Sequence, residues 1–149
     1  MNTTGTTIDR PADIARTAPR PTLPLAGIAV ATIAAVLLDV IAYWIADAAG
    51  ASMKIDSPYD LSVGVVIMAS AVPLLIGSAV INRLGRLRPV LARRLAWAGL
   101  AVAIVSSVSP FAMADDTATA LMLTAMHLIV GAAWAAITLV RPRRSAVRN

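Results

Sequence analysis

The sequence predicts an all-α integral membrane protein, a bundle of four antiparallel transmembrane helices, and three observations predict it. Of the 149 residues, 58% are hydrophobic and only 14% charged, whereas roughly a quarter of a water-soluble domain is charged. Four apolar stretches follow one another with short polar segments between them, each long enough to cross a ~30 Å hydrocarbon core at about 1.5 Å per residue. The charges are also sorted. All eight acidic residues are Asp, twelve of the thirteen basic residues are Arg, and the two kinds fall largely in different segments.

The chain opens with a Thr-, Pro- and Arg-rich segment, residues 1–24, whose Pro11, Pro19, Pro21 and Pro24 keep a helix from running through its end. It is expected to be a disordered cytoplasmic tail. The first span covers about 25–46. A cleaved signal peptide is set aside, because the preceding tail is long, the apolar run exceeds a usual signal core, and further spans follow. A polar stretch with Gly50, Lys54, Asp56 and Pro58 separates it from a second span over about 61–81. Pro73 lies near the middle of that span, where proline usually produces a kink.

Residues 82–94 are expected to form a short basic loop holding Arg83, Arg86, Arg88, Arg93 and Arg94. The third span, about 95–113, carries Ser106, Ser107, Ser109 and Pro110 near its exit. Asp115 and Asp116 then make a tight turn in which either can cap the fourth span, about 117–140. Residues 141–149 are a basic tail with Arg141, Arg143 and Arg144, where Pro142 stops the helix.

Orientation follows from the arginines. Three lie in the leading tail, five in the 82–94 segment and four in the trailing tail, against the single Lys54 on the other side. Arginine and lysine are retained in the cytoplasm during insertion, so a plasma membrane location with both termini cytoplasmic is expected. Tyr43, Trp44 and Trp97 fit interfacial anchoring. A pI near 11.1 would suggest nucleic acid in a soluble protein, but these arginines flank apolar runs and do not interleave with aromatics. Their expected partners are anionic lipid headgroups. With no Cys there is no thiolate metal site and no cysteine nucleophile.

Small residues mark the packing faces. On the first span Thr32, Ala35, Asp39, Ala42 and Ala46 share an arc, and Leu37, Ile41, Trp44 and Ile45 project the other way. On the second, Ala69, Pro73 and Gly77 repeat every four residues. On the fourth, Asp116, Ala120, Thr124, His127, Gly131, Trp134 and Thr138 align against Met122, Ala125, Ile129 and Ala136.

Two residues could carry chemistry. Asp39 is the only charged residue well inside a span, and a carboxylate in hydrocarbon costs at least ~2.5 kcal/mol. His127, the only histidine, lies at a similar depth from the same side. A pair of Asp39 and His127 would serve either as a proton- or ion-linked site or as a structural bond that sets helix register, His127 then bonding to Thr124 or a backbone carbonyl. The loop aspartates lack regular metal-ligand spacing, and no hydrolase elbow, phosphate loop or metalloprotease motif occurs. No cofactor, metal site or catalysis is expected.

The Arg-rich segment before Trp97, Ser109-Pro110, and Asp116-Thr117-Ala118-Thr119-Ala120 leading to Met126-His127-Leu128 together resemble the actinobacterial four-span membrane proteins grouped as domain of unknown function 6069, over roughly residues 25–140. The resemblance implies a bacterial plasma membrane and four spans. It carries no catalytic residues. Small multidrug transporters are similar in having four spans and an acidic residue in the first, but this chain has Asp in place of their Glu, longer tails and none of their remaining aromatic pattern. The expectation is therefore a non-enzymatic accessory or interaction protein, with a membrane protein partner or a second copy bound through small-residue faces. The alternative is a small proton-coupled transporter using Asp39 and His127.

Overall fold

The computed structural model describes residues 24–56 and 61–140. The expected leading tail before Pro24 and the basic tail with Arg141, Arg143 and Arg144 lie outside them. Among the described residues the regular structure is helical: α1 (Leu25–Ala48), α2 (Val63–Leu87), α3 (Pro89–Ser106), α4 (Pro110–Met113) and α5 (Thr117–Thr138). α1, α2, α5, and α3 taken together with α4, are each long and apolar enough to cross a membrane.

Local chemistry sets each boundary. α1 ends because Gly50 takes φ +82, a conformation glycine adopts without penalty. The turn closes through Ala51 N–H to the Ala46 carbonyl at 3.0 Å and Gly50 N–H to the Asp47 carbonyl at 3.0 Å, the paired bonds of a Schellman motif. Ser62 caps α2 by accepting from the Val65 amide at 3.4 Å. α2 runs through Pro73 and on to Leu87.

The expected basic loop over 82–94 is therefore helical on both sides of a single break at Arg88, which is extended at φ −142 and ψ 80. Pro89 causes the break: a residue before proline is pushed out of the helical region, and proline itself suits the first position of the next helix. Hydropathy ends a span, not a helix. Arginine is a good helix former, so α2 projects past the apolar run.

α3 stops at Ser106, where Pro110 has no N–H to continue the ladder. Ser106, Ser107 and Ser109 each turn their hydroxyl back to the carbonyl three residues earlier, at 3.2, 2.6 and 2.7 Å. The Thr124 hydroxyl of α5 donates to the Ser107 carbonyl at 2.9 Å. These bonds satisfy backbone groups that have no water to turn to inside a bilayer.

The four long elements form a ring in chain order, α1 against α2, α2 against α3, α3 against α5 and α5 against α1, with α5 also reaching α2 across the centre. On α1 the buried residues are Ile28, Thr32, Ala35, Asp39 and Ala46. Leu37, Ile41, Trp44 and Ile45 are exposed, as a lipid-facing surface should be.

The α2 face differs from expectation. Val66, Ser70, Leu74, Ser78 and Ile81 are buried, while Ala69 and Pro73 are exposed and Gly77 half-buried. The small-residue row lies one position off the packed row and borders a cleft. On α5, Met122 is buried among the inward residues, because a helix touched from several sides has little outward surface left.

Candidate functional site

Asp39 is the one described carboxylate well inside a span, and it is fully buried. Its Oδ2 lies 2.5 Å from the Ser70 hydroxyl of α2, and its Oδ1 is buried with no partner among the described residues. The Ser70 oxygen also lies 2.9 Å from the Val66 carbonyl. A hydroxyl carries one proton. If Asp39 is neutral, its O–H donates to Ser70, Ser70 donates to Val66, and every contact is a hydrogen bond. If Asp39 is charged, the single Ser70 proton must choose, leaving either an acceptor-acceptor contact or an unpaired buried anion. The neutral acid completes the relay.

No hydrogen bond joins His127 to Asp39 among the described residues. The histidine Nδ1 instead lies 2.8 Å from the Leu123 carbonyl one turn back on α5. A carbonyl only accepts, so Nδ1 carries a proton and Nε2 is left outside that bond. Sequence counting put the two residues at one depth. What it missed was Ser70, spaced four residues from Val66 and Leu74 on the packed row of α2.

Ser70 and His127 both line a cavity of about 460 Å³ bounded by α2, α3 and α5. Its rim is formed by residues exposed on the bundle surface, Ala69 and Pro73 on α2 and Val102 on α3, so it opens sideways between those helices. Leu74, Met126 and Val130 make an apolar floor. Pro73 has no N–H to return to the Ala69 carbonyl, which adds one free acceptor near this wall.

Trp134 closes the cavity toward the Arg-rich end. Its indole Nε1 donates to the Ala96 carbonyl of α3 at 2.8 Å, and the ring slides between Gly77 of α2 and Gly99 of α3. A Cβ at Gly77 would come within 2.5 Å of the ring, and one at Gly99 within 2.7 Å. Only glycine leaves that slot open.

Ser, His and Asp in one neighbourhood invite comparison with a nucleophilic triad. The order is wrong for one. The serine bonds the carboxylate directly, and the histidine nitrogen that a triad would give to Asp goes to a backbone carbonyl.

The aspartate turn resolves into one capping residue. Asp116 caps α5, its Oδ1 accepting from the Thr119 amide at 2.9 Å. Its Oδ2 accepts from the Thr119 hydroxyl at 2.6 Å, the Ser52 amide at 3.0 Å and the Ser52 hydroxyl at 2.5 Å. The Ser52 and Thr119 bonds hold its carboxyl well below the usual carboxylate range. Asp115 is exposed and only its amide is engaged, donating to the Lys54 carbonyl at 3.2 Å. The same latch holds Met53 at φ 55 by a bond from its amide to the Thr119 hydroxyl at 3.2 Å. At the opposite end Arg83, Arg86, Arg88, Arg93 and Arg94 are all exposed. Tyr43, expected as an interfacial anchor, donates its hydroxyl to the Leu61 carbonyl at 3.4 Å. Trp44 and Trp97 are exposed.

The family of unknown function DUF6069 matches residues 18–145, beyond the helical region at both ends. No curated protein and no solved structure matches the chain.

Proposed function

We propose that this chain, which belongs to that family of unknown function, is a non-enzymatic multi-pass protein of a bacterial plasma membrane that holds an apolar, lipid-like guest in the cleft between α2 and α3. The cleft carries this reading. Its volume of about 460 Å³ lies within the roughly 300–1,000 Å³ of small-molecule sites, and an apolar lining with a few convergent polar groups is their usual chemistry. The guest's apolar chain lies along Leu74, Met126 and Val130, and Ser70 and the His127 Nε2 meet a polar group. Small-residue faces serve less well as a partner surface, because Ala35, Ala46, Ala96, Ala120 and Gly131 are buried within the bundle. The Arg-rich end faces the cytoplasm on the charge argument.

Trp134 lines the cleft and reports on it. In a Trp44→Phe, Trp97→Phe background it is the only indole of the three in the chain. In nanodiscs of lipids brominated at mid-chain, its fluorescence is expected to be quenched, and Val102→Phe or Ala69→Leu, which plug the rim, should abolish the quenching. Quenching that ignores both plugs, or none at all, would remove the reading.

A second reading is favoured by one observation, the unpartnered Oδ1 of Asp39 beside a relay that leads through Ser70 to the cleft wall. An intramembrane acid of this kind suits proton-coupled transport. In proteoliposomes a carrier would collapse an imposed pH gradient, and Asp39→Asn would stop it. A wild-type gradient that persists in the presence of candidate substrates would exclude it.

A further inference from the structure

The two ends of the bundle treat their charges differently, and the Arg-rich end contains a notch separate from the α2/α3 cleft. It lies between the start of α1 and the last turns of α2 and measures about 520 Å³. From α2 it is lined by Leu75, Ser78, Asn82, Arg83 and Arg86, and from α1 by Leu25 and Ile28. Spacing of three and four residues along a helix brings these polar groups onto one face.

The polar side is built to receive something. Ser78 is 1% exposed and its hydroxyl has no partner among the described residues, although buried hydroxyls are nearly always bonded. The Asn82 side-chain oxygen is also buried without a partner, and rotation of that amide would present two donors. The described carboxylates, Asp39, Asp47, Asp56, Asp115 and Asp116, lie mid-bundle or at the opposite end. Guanidinium forks, a hydroxyl and an amide together make a donor set for a tetrahedral anion. The apolar wall of Leu25, Ile28 and Leu75 would be of no use to a free anion, but it suits the glycerol backbone and first chain carbons of a lipid.

We infer that this notch is a specific site for the phosphate of an anionic phospholipid, with Arg83 and Arg86 gripping the headgroup, Ser78 donating from beneath it, and the chains running down the α1/α2 groove. The site differs from general attraction of arginine to a charged leaflet, which Arg88, Arg93 and Arg94 also supply. It is independent of the α2/α3 cleft.

The test uses the full chain in phosphatidylcholine nanodiscs doped with phosphatidylglycerol, with retained lipid read by native mass spectrometry. One phosphatidylglycerol per protein is expected. Loss of about tenfold in affinity per arginine, roughly 100-fold for Arg83→Gln/Arg86→Gln, follows from the worth of a directed hydrogen bond to a charged group. Ser78→Ala should weaken retention while leaving the thermal midpoint in place, since it removes an unpaired hydroxyl. The control, Arg93→Gln/Arg94→Gln, removes equal charge from the same end but no group that lines the notch, and should lower affinity by less than about fivefold, as screened surface charge does. Equal loss in the two double variants would overturn the site in favour of diffuse electrostatics. Displacement of the lipid by millimolar inorganic phosphate would overturn the lipid as its ligand, and equal retention of phosphatidylcholine would show that no anion is recognised.

Discussion

The bundle is tied shut at its Asp-rich end and left open in its middle, and the two carboxylates that mark these regions differ accordingly. Asp116 accepts from two amides and two hydroxyls, closing the turn after α1 against the start of α5. Asp39 has one partner, Ser70, and an oxygen with none. Solvated, flexible loop residues would be the easier place to leave bonds unmade, yet the bonds are complete there and incomplete where water is scarce. A carboxyl retained only to fix helix register would gain from full satisfaction, because an unmet polar group is costlier in low dielectric. The difference gives Asp116 a full set of directed bonds and leaves Asp39, beside the cleft, with one oxygen unmet among the described residues.

The largest expected effect lies where the open region closes. Trp134→Ala removes the ring that joins α2, α3 and α5 and should cost about 3–5 kcal/mol. Gly99→Val drives its side chain into the same ring, which cannot swing away without losing the Ala96 bond, and overpacking of this kind costs about 1–3 kcal/mol. Combining Gly99→Ala with Trp134→Phe should cost less than the sum of the two, by on the order of 1 kcal/mol, because both changes act on one contact. Unfolding curves in mixed micelles would measure all three. Additivity would mean that the ring does not depend on the slot.

Asp39 comes next. Asp39→Asn offers an amide donor to Ser70 and carries no charge in any state, so stability should change by less than about 1 kcal/mol while any proton-linked behaviour disappears. Asp39→Lys places an uncompensated cation at the same point and should cost about 2.5–3.5 kcal/mol. If Asn proved as damaging as Lys, the neutral-acid relay through Ser70 to Val66 would be the wrong description.

How far these features could be read from residues alone varied with what each one needed. The inner face of α1 was legible, because Thr32, Ala35, Asp39 and Ala46 contrast with bulky Leu37, Ile41 and Trp44. The face of α2 was misplaced by one residue, since small side chains serve equally to admit a neighbouring helix and to border a cleft. Lipid is as apolar as a core, so hydrophobicity cannot separate the two. Ser70 and Ser78 were the usable signal, polar residues at helical spacing that lipid would reject. Comparable depth for Asp39 and His127 came from counting residues, but bond partners depend on the rotation of each helix, which counting does not supply. The latch had no periodicity to betray it. Ser52 is one serine in a loop, and Asp116 reaches it across 64 positions of chain.

At the closed end the effects are smaller and local. Ser52→Ala removes one of the four bonds to Asp116, and Asp116→Ala removes all of them and the cap of α5. The amides of Ser52 and Met53 should then exchange hydrogen faster, by on the order of tenfold in Asp116→Ala. Acid should act on the same amides in a defined direction. A carboxyl whose folded pKa is depressed contributes its full stability above the unfolded pKa, and that contribution is lost progressively as pH falls from the unfolded value through the lower folded one. Protection of Ser52 and Met53 should therefore begin to fall within the ordinary carboxylate range and go on falling into stronger acid. A loss complete within that range would mean that the Ser52 and Thr119 bonds do not hold the charge.

The smallest effect is expected one residue away. Asp115 carries the same charge as Asp116, stands beside it at the entrance to α5, and satisfies the same sequence rule for a helix cap. Its side chain is exposed, and the bond it contributes runs from its amide to the Lys54 carbonyl, which substitution leaves in place. Asp115→Ala should alter neither exchange at Ser52 and Met53 nor the acid profile, with stability within about 0.5 kcal/mol of wild type, as for surface changes generally. Matching losses in Asp115→Ala and Asp116→Ala would show that negative charge near the start of α5, acting on its dipole, closes this end, and that the four directed bonds to Asp116 do not.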